Sequence, residues 1–396
     1  MALRHLIAQL VDDPWHRELA ERVCALAEGQ GLEVEGIPAA ARAPLLASLI
    51  WQLERPLLIL TARHDQAFEL QDALSTYLPS GQSPLLWPAP ETLPYDLLAP
   101  DRAAGAERVA LLRRLATDPS AVVIAPVRAL TQLLSPPETL WSQALELRVG
   151  ATLSLRVFLG RLLAAGYQRA AVVGAPGQFS HRGGIVDLWP PGSRLALRIE
   201  LFGDEIESIR RFDPETQRSV ERIQEACVLP PVEIDQGRLS EAVERLRCVD
   251  TGSLRPEVLA EWERLLAHLD RGELAPGPEL FAPFFLDRPV SLLDYLPATH
   301  LVVVMDPGAV YLALEQIDVQ AQELRATLED SGELPRDLPL PYHPLERVLG
   351  QVGRMRQLLI GSRPPQWPAG GVTSFPAQDR YTTDLPTLAG RLGQLP

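Results

Sequence analysis

Short, unbroken apolar runs alternate with amphipathic stretches from the N-terminus to Ile124. Pro56 to Thr61, Leu85 to Trp87 and Ala121 to Ile124 read as buried strands, because they are brief and apolar on both faces. Leu19, Val23, Leu26 and Ala27 recur at helical spacing before the glycines at 29 and 31. Ala67, Leu70, Leu74 and Leu78 mark one face of a helix from His64, and further helices are predicted over Leu45 to Leu53 and Val109 to Leu115. Strands alternating with helices predict a parallel α/β sheet.

The period changes near Ser135. A helix is predicted over Val157 to Ala165, and strands follow it. Gly183-Gly184 breaks the chain before the apolar run Ile185 to Trp189, and Pro190, Pro191 and Gly192 make a turn. Leu195, Leu197, Ile199 and Leu201 then alternate with Ala196, Arg198, Glu200 and Phe202, the period of a strand with one buried face. Gly203-Asp204 turns into Ile206, Ile209 and Phe212, which completes an antiparallel unit. After Glu221 the pattern becomes helical, over Leu239 to Arg247 and Val258 to Leu269. Leu301 to Met305 is a strong strand before a helix from Ala309 to Leu328, and this part is expected to complete the first sheet. The Pro- and Gly-rich stretch from Pro341 to Gly371 reads as a linker, and Thr387 to Pro396 as the opening helix of a further, truncated domain. The expected division is therefore 1–134 and 221–340 as two segments of one α/β domain, 135–220 as an inserted α+β domain, and 341–396 as linker and tail.

Charge narrows the chemistry. The 396 residues carry a formal net charge of −14, which argues against a sequence-independent grip on DNA phosphates. All 37 basic residues are arginine. Without lysine there is no Walker A P-loop, Schiff-base lysine or kinase β3 lysine. Cys24, Cys227 and Cys248 show neither disulfide nor zinc spacing. No apolar run has the length of a membrane span and the N-terminus lacks a signal-peptide pattern, so a cytoplasmic protein is expected.

Residues Phe179 to Pro214 read FSHRGGIVDLWPPGSRLALRIELFGDEIESIRRFDP, and this order closely resembles a segment shared by UvrB and the bacterial transcription-repair coupling factors. Trp87-Pro88 followed by Glu91-Thr92-Leu93-Pro94-Tyr95-Asp96 is similar to the WETLPYD segment of the coupling factors. Leu292-Leu293-Asp294-Tyr295-Leu296-Pro297 is similar to the F-D-Y-x-P before the Walker B strand. The resemblance covers most of the chain. It implies a degenerate RecA-like parallel-sheet domain in two segments, with an inserted small α+β domain like the second domain of UvrB and a truncated C-terminal tail.

The same resemblance locates three sites where chemistry is expected to be missing. At the P-loop position the chain reads Gly36-Ile37-Pro38-Ala39-Ala40-Ala41-Arg42-Ala43-Pro44, with no lysine and with prolines that remove phosphate-binding N–H groups. At the Walker B position Asp306 is followed by Pro307 rather than Glu, and Asp306 is expected to cap a helix. Where UvrB inserts a tyrosine-rich hairpin, Tyr95 runs through Ala99-Pro100-Asp101 directly toward a helix. No cofactor is expected in this fragment. The resemblance implies that ATP and Mg are expected in the missing translocase region of an ATP-dependent parent.

What remains is the inserted domain, which in this family docks on UvrA. The matching basic positions are Arg182, Arg194, Arg210 and Arg211, with Arg169 as a further candidate. The expected function is recruitment of UvrA to lesions where RNA polymerase has stalled. RNA polymerase and duplex DNA are expected to be engaged through the missing regions, with little direct DNA binding by this part. The alternatives are a UvrB-like ATP-dependent damage-recognition subunit and a free-standing regulatory paralogue.

Overall fold

The computed structural model describes residues 2–376 apart from 54, 80–82, 90–92, 96–101, 119, 234–237, 272–277, 298 and 369–370. Helices α1 (Ala2–Asp12) and α2 (Pro14–Cys24) lead into β1 (Gly31–Val34). The Asp13 side chain accepts from the Trp15 N–H at 3.0 Å and Pro14 takes the first helical position, which starts α2. The chain continues as α3 (Ala39–Leu53), β2 (Leu57–Thr61), α4 (His64–Tyr77), β3 (Leu85–Leu86), α5 (Arg102–Thr117) and β4 (Val122–Pro126). The inserted part contains α6 (Pro137–Ser142), β5 (Leu145–Arg148), α7 (Leu155–Ala164), β6 (Gln168–Arg169), β7 (Gln178–Arg182), β8 (Ile185–Leu188), β9 (Ala196–Phe202), β10 (Glu205–Phe212), β11 (Ser219–Ile223) and β12 (Glu225–Val228). The chain then returns through α8 (Leu239–Arg247), α9 (Pro256–Asp270), α10 (Pro278–Phe285), β13 (Leu301–Met305), α11 (Pro307–Asp330), α12 (Leu345–Val352), β14 (Arg356–Ile360) and β15 (Val372–Phe375).

One sheet has the order β15-β1-β14-β13-β2-β4-β3, with every pair parallel. Its central strands are apolar throughout because helices cover both faces. Leu58, Leu60, Val302 and Val304 face one core with Val109, Leu112, Val310 and Leu314. Leu57, Ile59, Leu301 and Val303 face the other with Leu19, Val23, Leu46 and Leu49. This is the RecA-like domain, and α8, α9 and α10 pack beside it around Trp262, Phe281 and Phe285. Tyr95, in a left-handed conformation at φ 78°, is buried in that helical cluster.

The second sheet has the order β11-β10-β9-β8-β7-β6, antiparallel except for the β6–β7 pair. Phe158 and Leu162 of α7 pack on Phe179, Val186, Leu188, Leu197 and Ile199, which makes the inserted α+β domain. A separate ribbon, β12 with β5, closes it. Where the two domains meet, Arg108 donates through Nε and Nη2 to Glu233 at 2.9 Å each. Ser135 Oγ donates to the Glu233 carbonyl at 2.7 Å, and Tyr295 Oη to the Ser135 carbonyl at 2.5 Å.

Three expectations change. The boundary at residue 220 falls inside β11, and β12 still belongs to the insert because it pairs with β5. The linker expected from residue 341 instead carries α12, β14 and β15. Its strand β14 lies between β1 and β13 in the middle of the sheet. Six residues assigned to the P-loop position, Ala39 to Pro44, are helical, which leaves only residues 35–38 as loop. The candidate hairpin stretch Ala99-Pro100-Asp101 and the tail helix from Thr387 lie outside the described residues.

Candidate functional site

In a RecA-like sheet the nucleotide position lies at the carboxyl ends of β1, β14 and β13. Here those ends bond to one another: the Gly361 N–H donates to the Val34 carbonyl at 3.0 Å and the Asp306 N–H to the Ile360 carbonyl at 2.8 Å. Glu33 accepts from the Arg363 backbone N–H at 2.9 Å and from Arg363 Nε at 3.3 Å. Arg42 occupies the lysine position of the P-loop pattern, within α3, and Pro38 in the short Gly36 loop has no N–H to offer. Asp306 stands at the N-cap of α11 as expected of a cap. However, its backbone is left-handed (φ 56°, ψ 73°) and its side chain makes no cap bond, with Pro307 following. These residues do not fit a magnesium triphosphate: there is no lysine, no second acid after Asp306, and the nearby carboxylate of Glu33 already holds an arginine.

The inserted sheet has the opposite character. Leu197 and Ile199 of β9 point at α7, so Arg198 and Glu200 point outward. The register places Ser180, Asp187, Arg198, Arg210 and Arg222 in one row across β7 to β11. Three arginines directly opposite one another repel, and two carboxylates offset this. Asp187 takes Arg198 in a bidentate pair at 2.7 and 2.8 Å, and that bond raises the guanidinium pKa. Glu200 takes Arg210 at 3.0 Å and Ser208 Oγ at 2.6 Å.

The five candidate arginines separate into groups. Arg182 ends β7 on the outward face, exposed, and donates from Nη2 to the Ala171 carbonyl at 3.1 Å. Arg169 is exposed on β6, the neighbouring strand at the sheet edge. Arg210 is half-buried and bound to Glu200. Arg211 bonds Glu221 at 2.6 Å on the other face. Arg194 lies in the turn before β9, at the sheet end opposite Arg182. Two residues earlier, Gly192 approaches α5 so closely that a Cβ would sit 2.3 Å from that of Ala110. The structure thus places Arg182 and Arg169 on adjacent strands, pairs Arg210 and Arg211 internally, and sets Arg194 apart beside the parent domain.

Two features were not read from the sequence. From Leu147 to Val186 there is no Asp or Glu, although Arg148, Arg156, Arg161, Arg169 and Arg182 fall there. Ile185 and Phe202, both exposed, sit on the outward face at the Arg182 end of the sheet. The signal for Phe202 was available: it is an aromatic at an outward position of an alternating strand whose other outward residues include Arg198 and Glu200.

A family model for the UvrB interaction domain matches residues 145–233, from the start of β5 to the acid that holds Arg108. The chain is 30% identical over 319 residues to the transcription-repair-coupling factor of Bacillus subtilis strain 168, covering 78% of this chain and 27% of that protein. It is 32% identical over 266 residues to that of Escherichia coli K12, covering 67% and 23%. It is 37% identical over 311 residues to that of Myxococcus xanthus, covering 74% and 25%. The chain spans about a quarter of the length of these relatives.

Proposed function

Because the chain is the N-terminal, UvrB-homologous region of a transcription-repair-coupling factor, we propose that it serves transcription-coupled DNA repair as a docking module for UvrA. The observation that carries this reading is the inserted domain. The stretch matched to the UvrB interaction domain folds as its own sheet and helix, and it exposes Arg182 and Arg169 from an acid-free segment of a chain whose net charge is −14. Arg182 on the outward face, with Arg169 at the sheet edge, steers and orients an acidic partner surface. The RecA-like domain holds that face and does not hydrolyse ATP. ATP, magnesium, RNA polymerase and duplex DNA are engaged by other regions of the parent translocase, in the cytoplasm. No helix among the described residues is long and apolar enough to cross a membrane.

Capture of purified UvrA by this chain tests the reading, with Arg182→Glu as the matched negative. Failure of the parent chain to capture UvrA at low salt would remove it. Calorimetry with Mg-ATP separates the UvrB-like alternative: a saturable micromolar signal would favour an enzyme, and no heat is expected.

A further inference from the structure

Helix α7 covers the packed side of the inserted sheet with Phe158 and Leu162, so its other face is turned away from Arg182. That face consists of Arg156, Val157, Gly160, Arg161, Leu163 and Ala164, all exposed. It carries no acid, amide or hydroxyl. A helix apolar on every side is ordinarily buried, yet here Val157 is 58% and Leu163 51% exposed. The helical period sets Gly160 in the middle of the face, with Arg156 and Leu163 to one side and Val157, Arg161 and Ala164 to the other. The Gly160 backbone is helical, and a Cβ there would meet nothing within 4 Å. The fold therefore does not require this glycine, although glycine weakens a helix interior relative to alanine. Arg156 and Arg161 form no ion pair among the described residues, and the sequence from Leu147 to Val186 holds no Asp or Glu.

We propose that the outer face of α7 is a second docking surface, and that its occupant is an acidic amphipathic helix of a partner protein. Helices pack by seating the ridges of one in the grooves of the other. Gly160, with Ala164 one turn on, forms a notch between the Val157 and Leu163 shoulders where a small apolar ridge can approach closely. Carboxylates flanking that ridge meet Arg156 on one side and Arg161 on the other, which fixes orientation and partner choice. An extended peptide fits less well, because a helix interior has its backbone groups already bonded and offers no edge. Phosphates would answer the two arginines and leave Val157 and Leu163 in water. This inference is independent of the UvrA reading, since the two faces lie on opposite sides of the inserted domain.

Fluorescence anisotropy with the whole chain tests this, using a labelled helical peptide that carries Ala and Leu at heptad spacing between flanking Glu residues. The peptide should bind saturably in the micromolar range and weaken as salt rises. Replacing each Glu of the peptide by Lys should remove binding. Gly160→Gln fills the notch and should weaken binding at least about 10-fold, the scale of overpacking a fitted contact. It should melt no lower than the parent, because glutamine is the better helix former. Arg156→Glu combined with Arg161→Glu should weaken binding and abolish its salt dependence, whereas Arg182→Glu should bind the peptide like the parent. Absence of binding, equal binding of the lysine peptide, or parent-like binding by Gly160→Gln overturns the proposal. Displacement of the peptide by a short DNA duplex overturns it in favour of a phosphate site. Self-association of the chain that Gly160→Gln abolishes overturns it in favour of a second copy.

Discussion

At the carboxyl ends of β1, β14 and β13 the parallel sheet satisfies its own polar groups, whereas the β7–β8 and β9–β10 ends of the inserted sheet leave theirs to solvent. Glu33 is 8% exposed and holds Arg363, and strand-end N–H groups bond neighbouring strands. Arg182, Ile185, Phe202 and Glu205 face water. A parallel sheet covered on both faces offers ligands only its strand ends, and here those ends are closed. An antiparallel sheet with one face packed keeps the other available. Of the inserted sheet's outward face, the end bearing Arg182, Ile185 and Phe202 is the part left open to water, while Ala196 and Phe212 are buried against Val173.

The largest effect should come from the closed side. Ile59→Ala empties a fully buried position and should cost the parallel domain about 2–5 kcal/mol. Denaturant unfolding measures the loss, and capture of UvrA below the transition should persist. If binding disappears while the inserted domain stays folded, the two regions are not separable.

On the open side, Arg182→Glu should weaken UvrA binding by on the order of 3 kcal/mol, since a reversed charge leaves its partner unpaired. Circular dichroism should be unchanged. Undiminished affinity would move the face elsewhere.

Acid should distinguish the two domains next. The buried histidines His16, His300 and His343 all lie in the RecA-like domain, and burial lowers the pKa of each, to about 4 for His300. A folded pKa below the unfolded value of 6.5 means that the unfolded chain binds the proton first. Stability is then complete above pH 6.5 and falls as pH drops toward 4, by about 1.4 kcal/mol per pH unit from His300. At pH 5 the loss should reach about 2 kcal/mol, and His300→Gln should remove that part of the slope. The inserted sheet carries none of these three buried histidines, so that sheet should outlast its parent in acid. Simultaneous acid melting would contradict this.

The smallest effect belongs to arginines already engaged. Arg211 and Glu221 form an exposed pair, and Arg211→Glu should change stability by under about 1 kcal/mol. Arg194→Glu, at the far end of the sheet, should leave UvrA dissociation at the parent rate. A large loss in either variant would extend the docking face well beyond Arg182.

The sequence made the central strands legible because they are short and wholly apolar; β2, β4 and β13 are examples. The antiparallel period of β9 also showed which residues face outward. Other strands were hidden for physical reasons. In β1 the second-last residue is Glu33, a charge neutralised by Arg363, 330 positions away. In β14 the buried polar residue is Gln357, whose Oε1 accepts from Trp367 Nε1 at 2.9 Å. No local window reaches Arg363 from Glu33, and nothing in the sequence marks Trp367, ten residues on, as the partner of Gln357. β11 is exposed along almost its whole length, so its residues alternate too weakly to mark where the insert ends. The arginines were visible as residue types. Their internal carboxylate partners on neighbouring strands, which decide which of them remain available, were not.

The bond from Ser135 Oγ to the Glu233 carbonyl brings the two chain crossings between the domains side by side. Joining them with a short turn would close almost no new loop and so would cost little conformational entropy. The inserted sheet is thus a cassette. Cut out at Ser135 and Glu233, it should leave a contiguous RecA-like chain behind, and another small domain with neighbouring termini should be accepted in its place.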